Sequence, residues 1–284
     1  MKCAWQSYLN LLPIWMRQLV DKYGRERLLE LRLRINKPPE LITLNGPIWL
    51  ERLTTEEDLR FSVNVASRYS PWACQTTLRG YITAPGGHRM GLCGSAVMKD
   101  GSVVDVRDLT SICIRVSRDF EGIAKQALQY DCSVLIIGRP GCGKTTFLRD
   151  YVRQLSYKET QMVAVVDERE EIFPRNGNQF CFETGKQIDI ISGFSKRTGV
   201  EIMLRNMTPS VIALDEITAH EDCKALLYAG WCGTRLIATA HAGTKRDLYS
   251  RPVYRPLVEN QLFDTLIVFH SDRSWHIEGM KNDV

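Results

Sequence analysis

The stretch Val134-Leu135-Ile136-Ile137-Gly138-Arg139-Pro140-Gly141-Cys142-Gly143-Lys144-Thr145-Thr146 constrains this chain more than any other. It opens on four apolar residues, three of them β-branched, which predicts a buried parallel strand. It continues as G-x-x-x-x-G-K-T, the phosphate-binding loop pattern. Glycine lets such a loop turn tightly and approach a ligand without a Cβ clash. The amides from Gly141 to Thr145 can then point inward and cradle phosphate oxygens at a helix N-terminus. Lys144 is expected to reach the β- and γ-phosphates, and the Thr145 hydroxyl to bind Mg²⁺. Phe147, Leu148, Tyr151, Val152 and Leu155 follow at helical spacing, so the loop joins a strand to a helix. The expected nucleotide-binding residues are therefore Gly138, Arg139, Pro140, Gly141, Cys142, Gly143, Lys144, Thr145 and Thr146. Cys142 lies where a helix dipole favours a thiolate.

With 284 residues the chain has room for two ordinary domains. A formal charge of +4 permits an anionic partner without arguing for one, and no basic stripe with interleaved aromatics is visible. Nucleic acid is therefore not the expected partner. No apolar run approaches the roughly 18 residues of a membrane span, so no transmembrane segment is expected. Residues 5–20 read as an amphipathic helix or helix pair, with packing on its own domain preferred to a membrane role. Nine scattered cysteines without a C-x-x-C pair fit free thiols in the cytoplasm better than disulfides or zinc.

In the first part, residues 28–35 alternate Leu with Glu or Arg, the period of a half-buried strand. Thr54 and Glu57 resemble a capping box for a helix from Glu56 toward Tyr69, stopped by Ser70-Pro71. Residues 78–83, 88–97, 103–106 and 112–116 read as strands. His88 and Arg89, beside Gly86-Gly87, read either as a phosphate contact or as a polar hairpin end, the latter preferred. A helix over about 121–130 then leads into the phosphate-loop strand. The expected division is a mixed α+β domain over 1–120 and an α/β domain over 121–284.

In a doubly wound parallel sheet the ligand lies at the carboxyl ends of the strands. Here the apolar runs end in the phosphate loop, in Asp167-Glu168-Arg169-Glu170-Glu171, in Asp215-Glu216 and in Thr239-Ala240-His241. An apolar run ending in Asp is the Walker B pattern, so Asp215 is expected to hold Mg²⁺ together with Thr145. Glu216 needs no metal and can polarise the attacking water. Asp167, Glu168 and Glu171 form a second acidic cluster, which can position metal or water or belong to a solvated charged loop. His241 can sense the γ-phosphate or satisfy a local hydrogen bond. An extra strand between Thr145 and Asp215, with the adjacent glutamate, marks RecA-like and AAA-like ATPases. Arg197, Arg205 and Arg235 are candidates for the additional transition-state charge.

The ordered set of motifs resembles the stage III sporulation protein AA family, relatives of the type II and type IV secretion ATPases. In the first half the resemblance rests on Leu28-Leu29-Glu30-Leu31-Arg32-Leu33-Arg34, Leu78-Arg79-Gly80-Tyr81-Ile82-Thr83 and Gly86-Gly87-His88-Arg89. In the second it rests on the phosphate loop, Val166-Asp167-Glu168-Arg169, Met203-Leu204-Arg205, Asp215-Glu216-Ile217 and Thr239-Ala240-His241. The resemblance implies a RecA-like P-loop ATPase domain, a mostly parallel sheet flanked by helices, behind a smaller N-terminal α+β domain. It implies ATP and Mg²⁺ as ligands, a ring of subunits (most often a hexamer), and an acidic box at Asp167-Glu168 with a histidine box at His241. It further implies a cytoplasmic motor recruited to the membrane by a membrane-anchored partner, energising a secretion-like channel between mother cell and forespore. A ring ATPase acting on nucleic acid, or a nucleotide-gated assembly protein without turnover, are the alternative readings. Relatives usually carry Arg-Thr-Asp-Val where this chain has Gln187-Ile188-Asp189-Ile190; if that arginine serves in trans, this chain must use Arg197 or another group.

Overall fold

The computed structural model describes residues 1–67, 80–158, 161–176 and 178–280. It divides into two compact units, one of Met1–Asp119 with Pro174–Phe182 and one of Phe120–Phe173 with Glu183–Val284. The excursion of Pro174–Phe182 into the first unit has no counterpart in a division at a single point near residue 120.

The first unit begins with helices α1 (Trp5–Asn10), α2 (Ile14–Asp21) and α3 (Gly24–Arg27). Strands β1 (Leu28–Arg34), β2 (Glu40–Thr43) and β3 (Gly46–Trp49), helix α4 (Glu56–Ala66), and strands β4 (Tyr81–Thr83), β5 (Arg89–Lys99) and β6 (Ser102–Arg115) follow. The sheet runs in the order β3-β2-β1-β6-β5-β4 and every pairing is antiparallel. The alternation in β1 works as period two requires: Leu31 and Leu33 are fully buried, while Glu30 and Arg32 pair with each other on the other face. Tyr8, Met16 and Leu59 from the helices, with Leu12 from the turn between α1 and α2, close the core over Leu31, Ile112 and Ile114.

Several local expectations shift. The cap of α4 is Thr55 with Asp58, not Thr54 with Glu57. The backbone N–H and C=O of Thr54 are taken by Lys37 and Asn36, and the cap falls one residue on, at the extended Thr55. Residues 103–106 and 112–116 lie in the one long strand β6. The end of the α4 reading at Tyr69, Ser70 and Pro71, and Leu78 and Arg79 of the next strand, lie outside the described residues. His88 is fully buried. One ring nitrogen lies 3.0 Å from the Ala4 carbonyl and the other accepts the Ser117 N–H at 3.1 Å. Burial pushes its pKa down to about 4. His88 is a neutral internal brace, with both nitrogens committed and none left for a phosphate.

The second unit contains β7 (Val134–Ile137), helix α5 (Lys144–Leu155) and β8 (Val163–Asp167). Short strands β9 (Arg175–Asn176) and β10 (Gln179–Phe180) pair with each other inside the first unit. The second unit resumes with β11 (Ile188–Ser192), α6 (Lys196–Met207), β12 (Val211–Ile217), α7 (His220–Trp231), β13 (Arg235–Ala240), α8 (Lys245–Ser250), α9 (Arg255–Glu259), β14 (Thr265–Phe269) and β15 (Trp275–Gly279). The sheet order is β11-β8-β12-β13-β7-β14-β15. Only β15 runs antiparallel, at the edge. The inner strands are buried along nearly their whole length, as continuous apolar runs covered on both faces must be.

In sequence β8 lies between the phosphate loop and Asp215. In the sheet it is β13 that separates β7 from β12, with β8 on the far side of β12. No helix forms over 121–130 beyond a 3-10 turn at Lys125–Gln129. Gly122 has φ of +85°, outside the helical region. The buried Asp150 of α5 takes the N–H groups of Gly122 and Ala124 instead, at 3.0 and 2.9 Å.

Candidate functional site

The carboxyl ends of β7, β8, β12 and β13 meet around the phosphate loop. Gly141 and Gly143 hold φ of +77° and +105°, where L side chains are strained. At Gly138 the requirement is space: a Cβ there would sit 2.6 Å from Cys142 Sγ and 2.8 Å from Phe269 Cβ. The Cys142 thiol is thus enclosed by the loop and buried.

Lys144 opens α5 and is 6% exposed. Its Nζ donates to the carbonyls of Gly138 at 2.9 Å and Arg139 at 3.0 Å and lies 3.2 Å from His241 Nδ1. Burial lowers its pKa, partly offset by the neighbouring Cys142, Asp215 and Glu216. The Thr145 hydroxyl donates to Asp215 Oδ2 at 2.7 Å across 70 residues of sequence. The other Asp215 oxygen receives the hydroxyl of Thr239, which is fully buried.

Glu216 is the irregular residue of the site. Its φ is +57°, and the pairing of β12 with β13 slips between Leu214 and Ile217 to accommodate it. The left-handed region costs a non-glycine residue on the order of 1–3 kcal/mol. The Glu216 N–H recovers part of that cost by donating to Thr239 Oγ1 at 2.7 Å. One carboxylate oxygen receives Arg169 Nη1 at 2.7 Å and the other bonds to His241 Nε2. Burial alone would raise the Glu216 pKa. The bond from His241 and the charge of Arg169 outweigh it, and the net shift is downward. With Nε2–H given to Glu216, His241 Nδ1 accepts from Lys144. The polar chain runs Arg169, Glu216, His241, Lys144, loop carbonyls.

The acidic run after β8 divides. Asp167 is 2% exposed and pins the following turn, accepting the N–H groups of Glu171 at 2.9 Å and Phe173 at 2.8 Å. Burial pushes its carboxyl up to about 7, against the Phe173 and Ile172 N–H groups and with the charge of Asp215 adding to the rise. A carboxyl raised from 3.8 in the fold contributes stability that is full below that value and lost as pH rises through about 7. Relative to Asp167→Asn, which has no such titration, the wild type is expected to lose stability across that window. Urea unfolding at several pH values checks this; parallel profiles for the two proteins would refute it. Glu168 faces a small cleft lined also by Arg169, Lys196, Asp215 and Glu216. Its carboxylate pairs with Lys196 Nζ at 2.9 Å.

The three candidate arginines do not join this cluster. Arg205 is exposed in the last turn of α6, roughly 13 Å along the helix axis from Lys196 at 1.5 Å per residue. Arg197 pairs with Glu201 and Glu221. Arg235, at the amino end of β13, binds Asp131 and Gln161. Within the single chain the cations beside Glu216 are Arg169 and Lys196. Both were visible in sequence, but one sat inside a charge run and the other at a helix start, where nothing local singles them out.

The residues fit a Mg²⁺-nucleotide. Gly141 and Gly143 hold the positive-φ turns that a phosphate loop requires, Lys144 holds a buried ammonium at the helix start, and Thr145 and Asp215 already place a hydroxyl and a carboxylate together.

Residues 4–283 match the family described as sporulation stage III, protein AA. Stage III sporulation protein AA of Bacillus subtilis (strain 168) is 37% identical over 268 residues, covering 90% of this chain and 87% of its own. Among solved structures, the pilus retraction motor PilT with bound ADP superposes with a TM-score of 0.60 at 15% identity, covering 90% of this chain and 78% of its own. The ATPase DotB of Legionella pneumophila superposes with a TM-score of 0.54 at 17% identity, covering 94% of this chain and 79% of its own. The RecA-like P-loop ATPase fold expected from the motifs is the fold present. The chain belongs to the sporulation stage III protein AA family.

Proposed function

We propose that this protein is a Mg²⁺-dependent ATPase that assembles into a ring, a hexamer, and drives a secretion-like channel during sporulation. The observation that carries the reading is the joint placement of Thr145, Asp215 and Glu216. A hydroxyl and a carboxylate suited to a hard cation lie beside a second carboxylate that is bound to His241 and Arg169.

In this reading the loop amides and Lys144 bind the phosphates, and Thr145 and Asp215 hold Mg²⁺. When bound, the cation neutralises charge on the transferring phosphoryl group. Glu216 orients the attacking water and takes its proton. His241 fixes one oxygen of that carboxylate and ties it to Lys144, so the base and the phosphate-binding ammonium are linked through one ring. Thr239 holds Asp215 and the Glu216 backbone together. Glu168 and a neighbouring subunit's Arg205 are further candidates, the arginine only in trans. The ring and the channel role rest on family membership and on fold similarity to secretion and pilus motors. Among the described residues no helix is long and apolar enough to cross a membrane, which motivates a membrane-anchored partner as the docking point of a cytoplasmic motor.

The test is phosphate release by the purified chain, measured against oligomeric state by light scattering, with and without that partner. Mg²⁺-dependent release that rises as the ring forms is the expected result. Nucleotide binding with no release in any assembly state overturns the motor reading in favour of a nucleotide-gated assembly protein. Release stimulated by single-stranded DNA in a salt-sensitive manner overturns it in favour of a nucleic-acid motor.

A further inference from the structure

Lys196 is the first residue of α6. It breaks two local rules: it is 5% exposed, and it puts a cation at the positive end of a helix dipole with no acidic residue in the first turn to offset it. Local conflicts of this kind persist where tertiary contacts require them.

The contacts here are two carboxylates from different elements. Lys196 Nζ lies 2.9 Å from Glu168 Oε2, at the end of β8, and 3.5 Å from Asp222 Oδ2, in the first turn of α7. That Asp222 oxygen also accepts the N–H of Thr218 at 2.9 Å, the N–H of Ala219 at 3.1 Å and the Thr218 hydroxyl at 3.3 Å. Thr218 and Ala219 come directly after the strand that carries Asp215 and Glu216. One ammonium therefore ties the end of β8 to the segment that follows the Glu216 backbone, whose φ of +57° needs support from both sides. Thr239 supplies that support from β13, and Lys196, through Asp222, from the far side. Lys196 also lines the same cleft as Asp215 and Glu216. Lys144 and Thr145, by contrast, bond to the loop carbonyls, His241 and Asp215, whereas the direct partners of Lys196 are Glu168 and Asp222.

We propose that Lys196 is a positioning residue for ATP hydrolysis: by bridging Glu168 and Asp222 it fixes the segment carrying Glu216, so that turnover depends on it and nucleotide binding does not. The proposal rests on the ATPase reading above.

The experiment uses the full chain, with Lys196→Met to keep the apolar stem without the charge and Lys196→Arg to keep a cation able to span both carboxylates. ATPγS binding, kcat and KM for ATP, and amide hydrogen exchange across 215–222 are measured. For Lys196→Met the expected result is a Kd and KM within about threefold of wild type, kcat reduced about tenfold or more, and faster exchange across 215–222. Lys196→Arg is expected to restore at least half of the lost kcat. If the methionine variant does not fold, Lys196→Gln, which keeps a donor but bridges less well, carries the same expectation. An unchanged kcat, a loss of ATPγS affinity parallel to the loss of kcat, or an arginine variant as slow as the methionine one overturns the proposal. Exchange is independent of turnover, which separates the two levels. A wild type that binds ATPγS but hydrolyses no ATP overturns the ATPase reading, whereas unchanged exchange in Lys196→Met overturns the brace itself.

Discussion

Replacing Glu216 with Gln is expected to slow ATP hydrolysis by about 100-fold or more, the usual range for loss of a general base, while ATP still binds. The substitution preserves shape but removes the proton acceptor. It also breaks the present geometry in a defined way. Glu216 accepts from Arg169 on one oxygen and bonds to His241 on the other, and an amide has only one acceptor oxygen for those two donors. The backbone support is untouched, because Thr239 bonds to the Glu216 N–H rather than to its side chain. The phosphate loop keeps all its own contacts, so bound ATP should persist long after the wild type has turned it over. Single-turnover hydrolysis with radiolabelled ATP, beside equilibrium binding, is the measurement. Undiminished turnover would remove Glu216 as the base, and Glu168, tied to Lys196, would become the next carboxylate to test. In sporulating cells the same variant separates motor from switch: a motor fails, and a nucleotide-gated assembly protein keeps working.

The second large effect is expected at Lys144. Changing it to Ala should weaken MgATP binding by roughly 100-fold or more, equivalent to about 2.7 kcal/mol. Its ammonium is bonded to two carbonyls of its own loop and is 6% exposed, so it sits inside the phosphate cradle. Removing it leaves His241 Nδ1 without its donor but also removes a buried charge, so the stability of the nucleotide-free protein should change little. The contrast is clearest by thermal unfolding. A ligand at about 100 times its Kd stabilises a protein by about 2.7 kcal/mol, so MgATP should raise the wild-type Tm and leave that of Lys144→Ala in place. Equal shifts in both proteins would mean that the nucleotide is held elsewhere.

The two substitutions act on either side of His241 in one polar chain. They are therefore not expected to be independent, and a double variant should lose less than the product of the single effects.

What was legible in the sequence followed from physics that acts over short stretches. Period-two alternation in residues 28–34, continuous apolar runs, and glycines required at positive φ all lie within a few residues of one another. They announced β1, the buried strands of the second unit and the phosphate loop. The polar residues that end those strands were legible too, because a parallel sheet sends its strand ends to one edge. Lys144, Thr145, Asp215, Glu216 and His241 do lie in one hydrogen-bonded cluster.

Tertiary structure decided everything that depends on which distant segments become neighbours. Strand order places β13, not β8, between the phosphate loop and Asp215, and no local propensity encodes that order. The same order brings Arg169 to Glu216 and Lys196 to Glu168 and Asp222, while the arginines chosen from sequence lie elsewhere. Asp167 and His88 carried polar side chains that sequence alone left open to ligands. Burial, which only the complete fold imposes, turned both inward: Asp167 holds its own turn and His88 joins Ala4 to Ser117. Sequence determined which groups stand at the strand ends, because those preferences are local. The fold determined which of them face one another, because pairing and burial are properties of the whole chain.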